Sequence, residues 1–107
     1  MFTVKIMNEF IHSPIWVYDD DDDIIDEPTI IANDTKLQDL CSQAEDMFSS
    51  YYEFDSHDEP CWFNHEKEKA EKNMMLELIS RIKKRLDEIC DGSYIVEDLE
   101  TERLENL

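Results

Sequence analysis

A chain of 107 residues that sets 28 Asp and Glu against 10 Lys and Arg carries a formal net charge of −18. Phosphate backbones and anionic lipid surfaces are bound by clustered Lys and Arg that displace counterions, so nucleic acid and membrane are excluded as expected partners. The length suits one domain, residues 1–107, and 41% hydrophobic with 10% aromatic residues supplies apolar material for a core, against a wholly disordered acidic chain.

Phe2, Val4 and Ile6 alternate with Thr3, Lys5 and Met7, the period of a strand with one buried face. Ile15 to Tyr18 are β-branched or aromatic and predict its hairpin partner, entered through a turn at His12-Ser13-Pro14. The five carboxylates Asp19 to Asp23 repel one another in a paired strand and predict an exposed loop, followed by a short third strand near Pro28 to Ile31. Asn33, Asp34 and Thr35 are N-cap types, and Leu37, Leu40, Ala44, Met47, Phe48 and Tyr51 recur at helical spacing, predicting a helix from Thr35 to Tyr52.

Glu53 to Asn64 mixes acids, Pro60 and aromatics without periodicity and predicts an ordered loop that buries Phe54, Trp62 and Phe63. Met75, Leu78, Ile79, Ile82, Leu86 and Ile89 mark a second, longer helix closed near Gly92. Seven of the ten basic residues lie between His65 and Cys90 beside six acids, so the rest of the chain holds 22 acids against three bases. Acids near the start of that helix and Lys83, Lys84 and Arg85 near its end suit the helix dipole without any ligand. Ser93 to Val96 predict a last strand, and 99–107 a frayed tail or short helix. The fold class expected is α+β: a small antiparallel sheet of three to four strands with two main helices packed on one face.

The single glycine, Gly92, rules out a phosphate-cradling loop, and no serine lies in a nucleophile elbow. His57, Cys61 and His65 stand four residues apart, which on one helix face brings three zinc ligands together with Asp55 or Asp58, but Pro60 opposes that helix. Asp19 to Asp23 lack the alternating ligands, central glycine and closing glutamate of a calcium loop. No enzyme activity, cofactor or metal is expected. Cys41, Cys61 and Cys90 are odd in number with no CxxC and read as reduced thiols. No apolar run approaches the roughly 20 residues of a membrane helix, and MFTVKIMNEF lacks the marks of a secretory signal, so a cytoplasmic location is expected.

Four blocks carry more than bulk charge: Asn8 to Trp16 (NEFIHSPIW), Tyr51 to His57 (YYEFDSH), Cys61 to Asn64 (CWFN) and Asp91 to Tyr94 (DGSY). Together, over most of the chain, they resemble small bacterial immunity proteins of polymorphic and contact-dependent growth inhibition toxin systems. The resemblance implies a non-enzymatic cytoplasmic inhibitor that binds the toxic C-terminal domain of one cognate effector.

Charge leads the same way, since a toxin that cuts nucleic acid needs a cationic groove that carboxylates can fill in place of phosphates. The expected partner-binding surface joins the loop Asp19, Asp20, Asp21, Asp22 and Asp23 to a second acidic loop with Glu53, Asp55, Asp58 and Glu59. Tyr18, Tyr52 and Trp62 are its candidate anchors, whereas Trp16 and Phe54 are assigned to the core. Three other readings of the residues stand beside this one, the first a small metal-dependent hydrolase built on His57, Cys61 and His65, which predicts stoichiometric metal and turnover. A nucleic-acid mimic of the anti-restriction or anti-CRISPR type would use the same charge at phosphate-like spacing, and acidic surfaces also simply keep small proteins soluble.

Overall fold

The computed structural model describes residues 1–56 and 59–107, with side chains described outside 55–60. The chain forms β1 (Phe2–Ile6), β2 (Ile15–Tyr18), α1 (Thr29–Ala32), α2 (Thr35–Ser49), β3 (Tyr52–Ser56) and β4 (Glu59–Phe63). It continues through α3 (His65–Ala70), α4 (Lys72–Ile89), β5 (Tyr94–Asp98) and α5 (Glu100–Glu105). This is an α+β protein whose two long helices are α2 and α4.

The three-stranded sheet has the order β2-β1-β5. β1 pairs antiparallel with β2, Val4 opposite Val17, and parallel with β5, Val4 opposite Val96. The expected antiparallel sheet is therefore mixed. A two-residue turn can only reverse a strand, whereas β5 arrives through the helices and enters the sheet at the end where β1 begins. The period-two pattern sends Val4, Ile6, Ile15, Val17 and Tyr94 to one face, where they are buried with Leu37, Ala44, Met75, Ile79, Ile82 and Leu86 of α2 and α4.

Asp34 caps α2, accepting from the Leu37 amide at 2.8 Å, and takes both ends of the Arg85 guanidinium at 3.0 and 2.6 Å. That clamp fixes α2 against α4. The Arg85 hydrogen bond, helped by the Leu37 amide, holds the Asp34 carboxyl below the usual carboxylate range.

Two predicted elements come out differently. Pro28 to Ile31 is not a strand: Thr29–Ala32 form one helical turn whose Ile31 is fully buried, so core contact overrides the β preference of the two isoleucines. Glu53 to Asn64 is not a loop but the β3–β4 hairpin, with Tyr52 opposite Phe63 and Phe54 opposite Cys61. Of the two expectations for 99–107 the short helix is the one found: α5 buries Leu104, and Arg103 bonds Glu68 of α3. The helices are also shorter than expected, since α2 stops at Ser49 and the stretch after His65 breaks at Glu71, whose carboxylate accepts from the Tyr51 hydroxyl at 3.2 Å. Gly92 makes the turn from α4 to β5 at φ +90°, a region open to glycine at little cost.

Candidate protein-binding surface

The β3–β4 register puts Tyr52, Phe54, Cys61 and Phe63 on one hairpin face and Glu53 and Trp62 on the other. The first face divides along its length. Near the body, Tyr52 and Phe63 are half-buried, their rings 4.9 Å apart, and both meet Phe48 of α2. Further out Phe54 is 56% exposed and Cys61 is exposed.

The β1–β2 connection meets this face from the side. Phe10 stacks 4.6 Å from Tyr52 and 5.7 Å from Phe54, and the next residue, Ile11, is 70% exposed. Ile11 also sits at φ +48°, an outlying conformation for a β-branched side chain. Its amide donates to Ser49 Oγ at 3.0 Å, and the Phe10 amide to Glu9 Oε1 at 2.7 Å. Strain of this kind persists where surrounding contacts over-determine it, and here it presents an isoleucine to solvent one residue beyond the Phe10 ring that meets the exposed Phe54. Glu9 and the acids of the hairpin segment, Glu53, Asp55, Asp58 and Glu59, adjoin this patch in the chain, with no Lys or Arg from Glu53 to Asn64.

A buried polar cluster braces the connection from below. Glu68 and Glu100 are nearly inaccessible, and Arg103 donates to Glu100 at 3.0 and 2.8 Å and to Glu68 at 2.7 Å. Burial alone would lower the Arg103 pKa, but hydrogen bonds to Glu100 and Glu68 outweigh it and drive the value above its ordinary one. Glu100 also accepts from Asn8 Nδ2 at 3.2 Å, tying the cluster to the residue that opens the Phe10–Ile11 turn. The Asn8 amide oxygen is buried with no donor among the described residues. Arg103 lies 5.9 Å over the Phe48 ring, which carries the aromatic layer above. Burial, with Glu71 beside it, pushes the Tyr51 phenol well above its usual range and keeps it a donor.

Among the described residues, the expected site residues are not gathered on one surface. Asp19 to Asp23 follow the end of β2, beside the start of β1, whereas Phe10 and the hairpin lie at the other end of the β1–β2 pair. The acidic loop is an ordered turn: Asp19 Oδ1 accepts from the amides of Asp21 and Asp23 at 2.9 and 3.0 Å, and Asp20 binds the N-terminal amine at 3.2 Å. Tyr18 stands near that end under Lys5, 4.6 Å from its ring centroid. Tyr52 belongs to the aromatic layer, and Trp62 faces away from Phe54.

Asp58 lies outside the described residues, as do the side chains of Asp55 and Glu59. Phe54 is not core, and Trp16 is half-buried outside it, stacked 3.8 Å from His12 with its indole N–H on the Met7 carbonyl. The residues alone do not single out Phe10 and Ile11, although two adjacent large apolar residues at the centre of a tight connection are a local conflict that marks such sites. Of the zinc trio, His57 lies outside the described residues, while Cys61 is exposed on β4 and His65 opens α3. Among the described residues no three His, Cys, Asp or Glu side chains gather to hold a metal ion, and no helix is long and apolar enough to cross a membrane.

Fold and surface together define a small α+β chain with an exposed apolar patch. No family model matches it, and neither curated proteins nor solved structures give a significant match.

Proposed function

We propose that this chain is a non-enzymatic, cytoplasmic immunity protein that neutralises one basic toxin domain, a nuclease in the first instance, by binding it through the Phe10–Ile11–Phe54 patch. The observation that carries this reading is an exposed Ile11, held at φ +48°, next in sequence to Phe10, whose ring lies 5.7 Å from the exposed Phe54, in a protein of net charge −18. Large apolar residues commonly anchor a binding hot spot, and the net negative charge of the chain selects a cationic partner. The Asp19–Asp23 turn then acts at a distance, adding to the field that speeds encounter. Within that turn Asp19 Oδ1 is taken up by the amides of Asp21 and Asp23.

The test is affinity capture from nuclease-treated extract of the native host, with wild type and a Phe54→Ser variant immobilised side by side. The reading expects one basic polypeptide retained at low salt by wild type and lost from the variant. Equal retention by both, or no basic polypeptide retained by wild type at low salt, refutes it.

A further inference from the structure

The two edges of the three-stranded sheet are treated differently. At the β2 edge, Val17 presents its carbonyl outward, and the Ile25 amide covers it at 2.9 Å. At the β5 edge no main-chain group plays that part among the described residues. The Phe2 amide donates to the Ser93 carbonyl and the Leu99 amide to the Ile6 carbonyl, so odd-numbered residues of this stretch turn their main-chain groups toward β1. Tyr94, Val96 and Asp98 therefore turn theirs to the open side. The Tyr94 carbonyl is met by Cys90 Sγ at 3.5 Å, but the N–H and C=O of Val96 have no partner among the described residues.

Beside that edge runs a groove of about 620 Å³, bounded by Ser80, Lys83, Lys84 and Asp87 of α4 and by Tyr94 and Val96. We propose that the open edge of β5 is a docking strand for an extended segment of a partner protein that carries alternating basic and uncharged residues. An added strand would exchange main-chain hydrogen bonds with Val96. Its outward side chains would stand opposite Ile95, which is 55% exposed, and Glu97, also exposed, favouring an apolar residue and then a Lys or Arg. Its inward side chains would enter the groove beside Lys84, which has no ion-pair partner among the described residues, so cations are disfavoured there.

A second copy is the poorer occupant. Antiparallel self-pairing about Val96 sets Asp98 opposite Tyr94, on the Asp87 side of the groove, and joins two chains of −18 each. This surface lies apart from the hairpin patch and does not depend on it.

The test is a nuclear magnetic resonance titration of the isotope-labelled full chain with the synthetic peptide acetyl-Thr-Lys-Thr-Val-Thr-Lys-Thr-amide, whose palindromic order suits either strand direction. Saturable shifts at 94–98 with slowed exchange of the Val96 amide are expected. N-methylation of the central valine and its two flanking threonines should weaken binding at least about fivefold. Glu97→Lys should weaken it roughly threefold and favour a peptide with glutamate in place of lysine by a similar factor. Absence of shifts at 94–98 at millimolar peptide, equal binding of the N-methylated peptide, or a concentration-dependent dimer through β5 without peptide would each overturn the proposal.

Discussion

Arg103 is the residue on which the brace beneath the candidate surface turns, and Arg103→Met tests it. The guanidinium makes four hydrogen bonds of 2.7–3.1 Å to two carboxylates whose side chains are 2% and 4% exposed, while the arginine itself is 40% exposed. Methionine keeps much of the stem but leaves Glu68 and Glu100 facing each other without a cation. Removing one partner of a buried ion pair costs about 3–5 kcal/mol, and the solvent that reaches Arg103 places this case near 3.

For a domain of this size that corresponds to a fall in Tm of very roughly 12–20 °C. Urea unfolding followed by far-ultraviolet circular dichroism at neutral pH should show it as a lower midpoint with unchanged m-value. Adding Glu68→Gln and Glu100→Gln to the Arg103→Met variant should recover most of the loss, because neutral amides tolerate the dry site. Amide resonances of Phe10 and Ile11 should shift in the single variant through the Asn8–Glu100 contact. A loss under about 1 kcal/mol, or a triple variant no more stable than the single one, would refute this account of the cluster.

Ile11→Asn should raise stability by roughly 0.5–1 kcal/mol, because asparagine tolerates φ +48° better than a β-branched residue. The same change should weaken partner binding, so a thermal melt and a binding assay move in opposite directions. Asp34 holds its proton less tightly folded than unfolded, so its contribution is complete above the ordinary carboxylate range, near pH 4, and drains away as pH falls through the lower folded value. Asp34→Asn should then lose stability relative to wild type at pH 7 but less at pH 3, in matched urea titrations. Burial pushes the Cys41 thiol up to about 12 while Cys61 is exposed, so iodoacetamide at pH 8 should label Cys61 in the native chain and Cys41 only on unfolding.

Elements whose pattern is local were legible in the residues. Val4 and Ile6 announced β1, the Leu37–Leu40–Ala44 spacing announced α2, and Met75 to Leu86 announced α4, because each buries one face at a fixed period. The failures share a cause: partners distant in sequence. Ile31 reads as strand until the core it enters is known, and Tyr52 to Phe63 reads as loop because its hairpin packs only at the Tyr52–Phe63 end, leaving Phe54 outside. Charge gave the kind of partner expected but not the place, since whether Asp19–Asp23 lies beside the hairpin depends on β1–β2 topology rather than on composition. The strain at Ile11 and the Glu68–Arg103–Glu100 cluster need three-dimensional contact to be seen at all.

Association kinetics of the captured partner with wild type and Phe54→Ser, at about 50 and 200 mM salt, weigh charge and apolar grip separately. The account predicts that salt slows association of both proteins alike, whereas Phe54→Ser speeds dissociation by a factor equivalent to about 2 kcal/mol or more. Dissociation unchanged by Phe54→Ser, with association indifferent to salt, would contradict it.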